Sequence, residues 1–168
     1  MRASAYLLYE EIADSIDYLA FINNFSLPDT FYSWFVVTEL HIWMLSVRAM
    51  AEEDGRHIRN FLVEALWLDV AQRTKKLGAA NPAAMRTSIS ELSEQLQAAL
   101  IAYDEGLQTD DMVLASALWR RFYQFEGVDL DHLEKLVKYV RKQITLLDST
   151  SSDKLLKEGT VGWKPLGE

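Results

Sequence analysis

The stretch LPDTFYSWFVVTELHIWMLSVRAM, residues 27–50, decides the fold because it carries the features of a long buried helix. Pro28 suits the first turn of a helix, and Asp29 and Thr30 can accept hydrogen bonds from the N–H groups that a helix start leaves unpaired. No Gly or Pro interrupts the run before Gly55, and apolar side chains cover most of its circumference. A helix that is apolar all round needs cover on all sides. We therefore predict a central core helix in a bundle, with one side left for a partner.

The polar residues of this stretch indicate a bundle rather than a membrane span. Residues 27–50 are long enough to cross a bilayer, but Glu39, His41 and Arg48 would be costly inside one. Glu39 and His41 point about 200° apart around the helix axis, so they do not form a ready metal-binding pair. We expect these two residues to be buried polar anchors, each satisfied by a group on another helix.

Length and composition predict one helical domain. A chain of 168 residues suits a single domain, and 49% apolar residues with five Trp indicate a folded globule. Three Pro and seven Gly leave few breaks, and we find no alternating run long enough for a confident strand. The prediction is an all-α, single-domain bundle of six or seven helices over residues 1–168.

Capping and turn signals divide the rest of the chain into helices. Asn81 and Pro82 mark a helix start, residues 104–106 a stop, and Gly127 a further stop. The tail, residues 152–168, has apolar anchors at Val161, Trp163 and Leu166 and is expected to pack on the bundle or stay loose. Besides the central helix, the predicted helical segments are 4–24 (one helix or two short ones), 56–76 capped by Gly78, 82–103, a segment after the caps at 109–111, and one that starts at Asp129 or Asp131.

The charge pattern leaves two interpretations open. Seventeen basic against 25 acidic residues give a net charge of −8, which disfavours non-specific binding of DNA or anionic lipid over the whole surface. Arg120 follows a Trp, and Lys138, Arg141 and Lys142 share one face of the last predicted helix. These residues form either a solvated helix surface or a contact with an acidic partner or ribosomal RNA.

The sequence offers no catalytic or cofactor motif. It has no Cys, which excludes disulfides, thiol catalysis and cysteine metal sites. It lacks a P-loop, a dinucleotide fingerprint and the Glu-x-x-His pairs of di-iron bundles. His41, His57 and His132 could supply axial haem ligands, but their spacing does not require it. We therefore expect a non-enzyme without a cofactor, and keep a helical scaffold and a haem or cofactor carrier as alternatives.

Aromatic side chains exceed what the predicted core stripes need. Most should be core, but a surplus could line an exposed groove for an apolar client. We place that groove at Trp43, Met44 and Val47, opposite the stripe that contains Phe31 and Trp34. Met adapts to irregular apolar partners, which favours this position.

Motifs along nearly the whole chain resemble the ubiquinol–cytochrome c chaperone family. The central helix carries four of them, and six more follow in the family's order. In this sequence they read Leu27-Pro28-Asp29-Thr30-Phe31, Trp34-Phe35, Thr38-Glu39-Leu40-His41, Trp43-Met44, Asn81-Pro82, Tyr103-Asp104-Glu105-Gly106, Asp110-Asp111, Ala117-Leu118-Trp119-Arg120, Tyr139-Val140-Arg141-Lys142-Gln143 and Trp163-Lys164-Pro165-Leu166.

The resemblance implies an all-helical, non-enzymatic assembly factor for the mitochondrial cytochrome bc complex, complex III. Such proteins bind newly made cytochrome b at the mitochondrial ribosome together with a small partner assembly factor. This implies a location on the matrix side of the inner membrane, with peripheral membrane contact and no DNA partner. The resemblance supplies no catalytic residues. Residues 1–8 carry one positive charge and are followed at once by acidic residues, a pattern unlike a mitochondrial presequence.

Overall fold

The computed structural model describes residues 1–76, 81–127 and 129–167, and these residues form seven α-helices and no strands. The predicted all-α class is therefore confirmed. None of the described helices is long and apolar enough to cross a membrane. In chain order the helices are α1 (Arg2–Ser15), α2 (Tyr18–Asn24), α3 (Phe31–Ala49), α4 (Gly55–Lys76), α5 (Pro82–Gln108), α6 (Asp111–Tyr123) and α7 (Leu130–Ser149), followed by a π-helical turn at Lys154–Glu158.

Helix α3 is the centre of the bundle. Fifteen of its 19 residues are buried, and it contacts all six other α-helices. It begins later than predicted: Thr30 is the N-cap, and its hydroxyl accepts the Ser33 N–H at 3.3 Å. Pro28 lies outside the helix, because its carbonyl accepts the Thr30 N–H in a tight turn. The prediction that Pro28 sits in the first turn is therefore wrong, whereas the capping role of Thr30 is confirmed.

The first helical segment is two helices, separated where the sequence allowed a break. Ile16 adopts an extended conformation after α1, and the Asp17 carboxylate caps α2 by accepting the Ala20 N–H at 3.0 Å. The break lets α1 pack along α4 while α2 packs on α3.

The predicted stop at residues 104–106 is wrong, because α5 continues to Gln108. Gly106 lies inside the helix, where a Cβ atom would come within 2.6 Å of the Leu114 Cα on α6. The glycine therefore permits close packing of two helices instead of ending one. Helix α6 ends before Gly127, at Gln124 in the left-handed region. The predicted cap at Gly78 lies outside the described residues.

The C-terminal segment lies against α1 and α7. The Glu11 carboxylate accepts hydrogen bonds from the Thr160 hydroxyl at 2.9 Å and from the backbone N–H groups of Val161 and Gly162 at 2.7 and 3.2 Å. Val161 is fully buried. The Gln143 amide on α7 bonds both the N–H and the carbonyl of Lys164. These contacts fix the end of the chain to the bundle.

Candidate partner-binding surface

The prediction of an exposed groove around Trp43 is wrong. Trp43 and Met44 are 1% and 0% exposed, so neither side chain reaches a partner. The Trp43 indole N–H donates to Asp104 Oδ1 at 2.8 Å, and its ring lies 5.1 Å from the Tyr103 ring between centroids. Val47 is half-buried. Helix α5 therefore covers Trp43, and α7 also contacts α3.

Glu39 is fully buried and paired with a cation on α6. It accepts two hydrogen bonds from the Arg121 guanidinium, from Nε at 2.8 Å and from Nη2 at 2.7 Å. Burial raises the pKa of Glu39 to about 7, and the Arg121 hydrogen bonds and charge act in the opposite direction. The Tyr32 hydroxyl donates to the Arg121 carbonyl, so the start of α3 also holds α6. The pair ties the middle of α3 to α6.

His41 is fully buried and has partners for both ring nitrogens. Nδ1 lies 2.7 Å from the Val37 carbonyl, and Nε2 lies 2.6 Å from the Tyr139 hydroxyl on α7. Because a carbonyl can only accept, Nδ1 carries the proton and Nε2 accepts from Tyr139. Burial lowers the pKa of His41 to about 4, so the ring is neutral at pH 7. His41 therefore acts as a link between α3 and α7.

The three histidines are not gathered at one site. His57 is exposed on α4, and the His132 ring packs edge-on against Phe25. Within residues 1–76, 81–127 and 129–167, no group of three or more His, Asp or Glu is placed to hold a metal ion.

The predicted basic residues occupy three separate places. Arg141 pairs with Asp111 at 2.7 Å and joins α7 to the start of α6. Arg120 lies beside a groove between α5 and α6, with its guanidinium 5.9 Å from the Phe125 ring centroid. Lys138 and Lys142 line a pocket beside the C-terminal segment. The three basic residues that we predicted on one face of α7 are thus divided: Arg141 forms an ion pair, and Lys138 and Lys142 line a pocket.

The lysine pocket, as we call it, has a volume of about 260 Å³ and lies between the end of α2, α7 and the C-terminal segment. The sequence pattern identified Lys138 and Lys142 but missed Lys164, which comes from a distant segment. The Trp163-Lys164-Pro165 motif was the available signal, because the residue before Pro is held extended. The residues that form the pocket are Asn24, Phe25, Lys135, Lys138, Tyr139, Lys142, Gln143, Lys164, Pro165, Leu166 and Gly167.

The alanine groove, a cavity of about 510 Å³, runs between α5 and α6. Small side chains form much of its lining, and Leu92, Arg120 and Phe125 also line it. Phe125 is 63% exposed, is held at a positive φ of 64° and packs edge-on against Trp119. The alanines that line the groove are Ala98, Ala99, Ala102 and Ala117. The cluster of alanines on α5 was the sequence signal for this groove, which the helical periodicity alone did not reveal.

Part of the aromatic surplus surrounds a third cavity, of about 440 Å³, at the start of α3. Phe31 and Trp34 are only half-buried there, and the Arg73 guanidinium lies 4.1 Å from the Trp34 ring centroid. These two rings therefore do not lie wholly inside the core.

Comparison with known proteins agrees with the motif pattern. Residues 23–162 match the family model described as ubiquinol-cytochrome C chaperone. A Drosophila melanogaster protein named ubiquinol-cytochrome c reductase complex assembly factor 1 is 53% identical over 171 residues, covering 99% of this chain and 66% of that protein. The Saccharomyces cerevisiae protein named Protein CBP3, mitochondrial, is 34% identical over 162 residues, covering 94% of this chain and 48% of that protein. The chain thus spans less than two thirds of the length of these curated relatives.

The fold also matches a solved structure. The crystal structure of the Cbp3 homolog from Brucella abortus aligns with a TM-score of 0.77 over 96% of this chain and 89% of that chain, at 23% identity. The shared architecture agrees with the family match over residues 23–162 and with the similarity to the fly protein over 99% of this chain. The chain belongs to the ubiquinol–cytochrome c chaperone family.

Proposed function

We propose that this chain is an assembly factor for the mitochondrial ubiquinol–cytochrome c reductase complex, complex III, and that it holds newly synthesised cytochrome b. The observation that carries the proposal is the 53% identity, over almost the whole chain, to a protein named for assembly of that complex. The family is a chaperone family, and the protein is not an enzyme. The word mitochondrial in the name of the yeast relative supports the compartment.

The alanine groove is the surface that we assign to the client. Alanine side chains let the backbone of an incoming apolar helix approach closely, so a groove lined with them suits such a helix. The exposed Phe125 adds apolar contact, and Arg120 places a positive charge beside it. Cytochrome b is a membrane protein, so a segment of it outside the bilayer would have apolar surface to cover.

The small partner factor, the mitochondrial ribosome and the matrix face of the inner membrane belong to the same proposal. The half-buried Val47 and the basic residues Arg120, Lys138 and Lys142 remain candidates for these contacts. Trp43 and Met44 are withdrawn as contact residues because they are buried. Arg141 is engaged with Asp111, so we give it a structural role between α6 and α7.

The test is rescue of cells that lack the native gene. Loss of the gene is expected to lower cytochrome b and complex III, and the wild-type protein is expected to restore both. Ala98→Glu places a charge in the alanine groove and should fail to restore them. Ala84→Glu changes the same residue type on the same helix at an exposed position outside the groove, and should restore them.

Two results would count against the proposal at different levels. Normal cytochrome b and complex III in cells without the gene would refute the assembly role. Full rescue by both Ala variants would leave that role intact and refute the assignment of the client to the alanine groove. Crosslinking in intact mitochondria, followed by identification of the captured proteins, would then locate the client.

A further inference from the structure

The lysine pocket concentrates positive charge on an acidic protein. The chain has eight lysines and a net charge of −8, yet four of the lysines line this one cavity of about 260 Å³. None of the described residues that form the pocket is acidic. Because half of the lysines of a negatively charged molecule lie at one cavity, we read this cavity as a local site for an anionic group. The four are Lys135, Lys138, Lys142 and Lys164.

A buried side chain fixes the position of the fourth lysine. Gln143 is 0% exposed, and its amide NH₂ donates to the Lys164 carbonyl at 2.6 Å. The Lys164 N–H in turn donates to Gln143 Oε1 at 3.1 Å. This paired bonding holds the backbone of Lys164 beside α7, and Lys164 lines the same pocket as Lys138 and Lys142. The pocket is therefore formed by secured backbone and not by a loose tail.

Apolar groups line the pocket between the lysines. Phe25 and Tyr139 are 2% and 7% exposed, and Leu166 is half-buried at one side. The volume of about 260 Å³ is several times the roughly 30 Å³ that one water molecule occupies in the liquid, so the pocket has room for an apolar side chain. The methylene stems of the lysines add further apolar surface. The pocket thus suits a ligand with one apolar group and carboxylates around it.

The net charge selects the kind of partner. An extended polyanion, such as RNA or an anionic bilayer, meets a wide area of the protein, and a net charge of −8 opposes that approach. Charges act on a short acidic peptide over about one Debye length, roughly 8–10 Å at physiological salt, so the lysines of the pocket affect its binding more than the net charge of the whole protein does. The exposed Lys138–Glu134 pair at 3.2 Å is the type of weak contact that such a peptide can replace.

We propose that the lysine pocket binds a short acidic segment of a partner protein, with one aromatic or aliphatic side chain seated against Phe25 and Tyr139. Carboxylates of the segment lie against the ammonium groups of Lys138, Lys142 and Lys164. The assignment goes beyond the proposed assembly role, because a purified chain and a synthetic peptide test it without any assembly reaction.

Fluorescence anisotropy with a labelled hexapeptide of five acidic residues and one Phe tests the proposal. The peptide is expected to bind saturably and to bind more weakly as salt rises. Lys138→Glu/Lys142→Glu should weaken binding about tenfold, because two attractions become repulsions. Lys75→Glu/Lys157→Glu gives the same net charge at exposed positions outside the pocket, and should change the affinity less than about twofold. A peptide with Ser in place of Phe should bind more weakly than the parent.

Each other outcome overturns the proposal. Absence of saturable peptide binding, or an equal loss in both double variants, would show that the pocket does not recognise acidic peptides. Binding of phosphatidylglycerol vesicles or polyuridylate that depends on Lys138 and Lys142, without peptide binding, would assign the pocket to lipid or RNA. All four substituted lysines are exposed, so each variant should keep the circular dichroism spectrum of the wild type.

Discussion

The buried ion pair between Glu39 and Arg121 gives the sharpest test of the packing. Arg121→Met removes the guanidinium and leaves the Glu39 carboxyl group, which is 0% exposed, without its two hydrogen bonds. Removal of one partner of a buried pair costs about 3–5 kcal/mol. The Arg121 side chain is 11% exposed, so some water can replace it, and we expect the lower end, about 3 kcal/mol. For a chain of this size that loss lowers the Tm by about 6–12 °C.

A matched control and a double variant separate this cost from general damage. Arg141→Met removes an ion pair whose side chains are 38% and 66% exposed, and should cost less than about 1 kcal/mol. Glu39→Met/Arg121→Met removes both buried charges and should recover most of the loss, because an apolar pair of similar volume can replace a buried ion pair.

Urea unfolding followed by far-UV circular dichroism measures all three free energies. The reasoning is refuted if Arg121→Met costs no more than Arg141→Met. It is also refuted if the double variant is as unstable as Arg121→Met alone, since the loss would then come from packing and not from a buried carboxyl group without partners.

Three further changes test other contacts of the core. The pKa of Glu39 rises from 4.5 to about 7 on folding, so its contribution to stability is present below pH 4.5 and is lost as pH rises towards 7. Glu39→Gln should therefore remove this fall in unfolding free energy with rising pH, as measured by urea titrations between pH 4.5 and 7. Tyr139→Phe leaves Nε2 of His41 without a donor and should cost about 1–3 kcal/mol in unfolding free energy, with no loss expected if that bond is absent. Gly106→Ala should lower the Tm despite the higher helix propensity of Ala, because its Cβ would meet the α6 backbone; a rise in Tm would disprove the close approach.

Local signals in the sequence predicted the helices well. Asn81, Asp110 and Asp129 each cap the helix that follows through a side-chain oxygen, as capping preferences indicate. The apolar circumference of residues 27–50 also predicted the central position of α3. The capping contacts join groups a few residues apart, so the local sequence is enough to predict them.

Features that depend on distant segments could not be derived in the same way. Gly106 was interpreted as a helix stop, whereas its role is to let α6 approach α5. The exposure of Trp43 depended on where α5 places Asp104, a contact across 61 residues. Lys164 joins Lys138 and Lys142 only because the buried Gln143 amide holds it there. In each case a helical period tells which residues share a face, but not what covers that face.

The Glu11 carboxylate on α1 has a consequence for the order in which the native state forms. Its three partners lie 149 to 151 residues later, so the contact closes a loop that includes nearly every other element. Closing a loop of that size has a large entropic cost until the intervening helices have packed. Until residues 160–162 have been synthesised, the Glu11 carboxylate on α1 therefore lacks these three hydrogen-bond donors. A chain that stops short of Thr160 would still pack α1 on α4, but it would leave the half-buried Glu11 carboxylate without these three donors and would lack the last cross-connection of the fold.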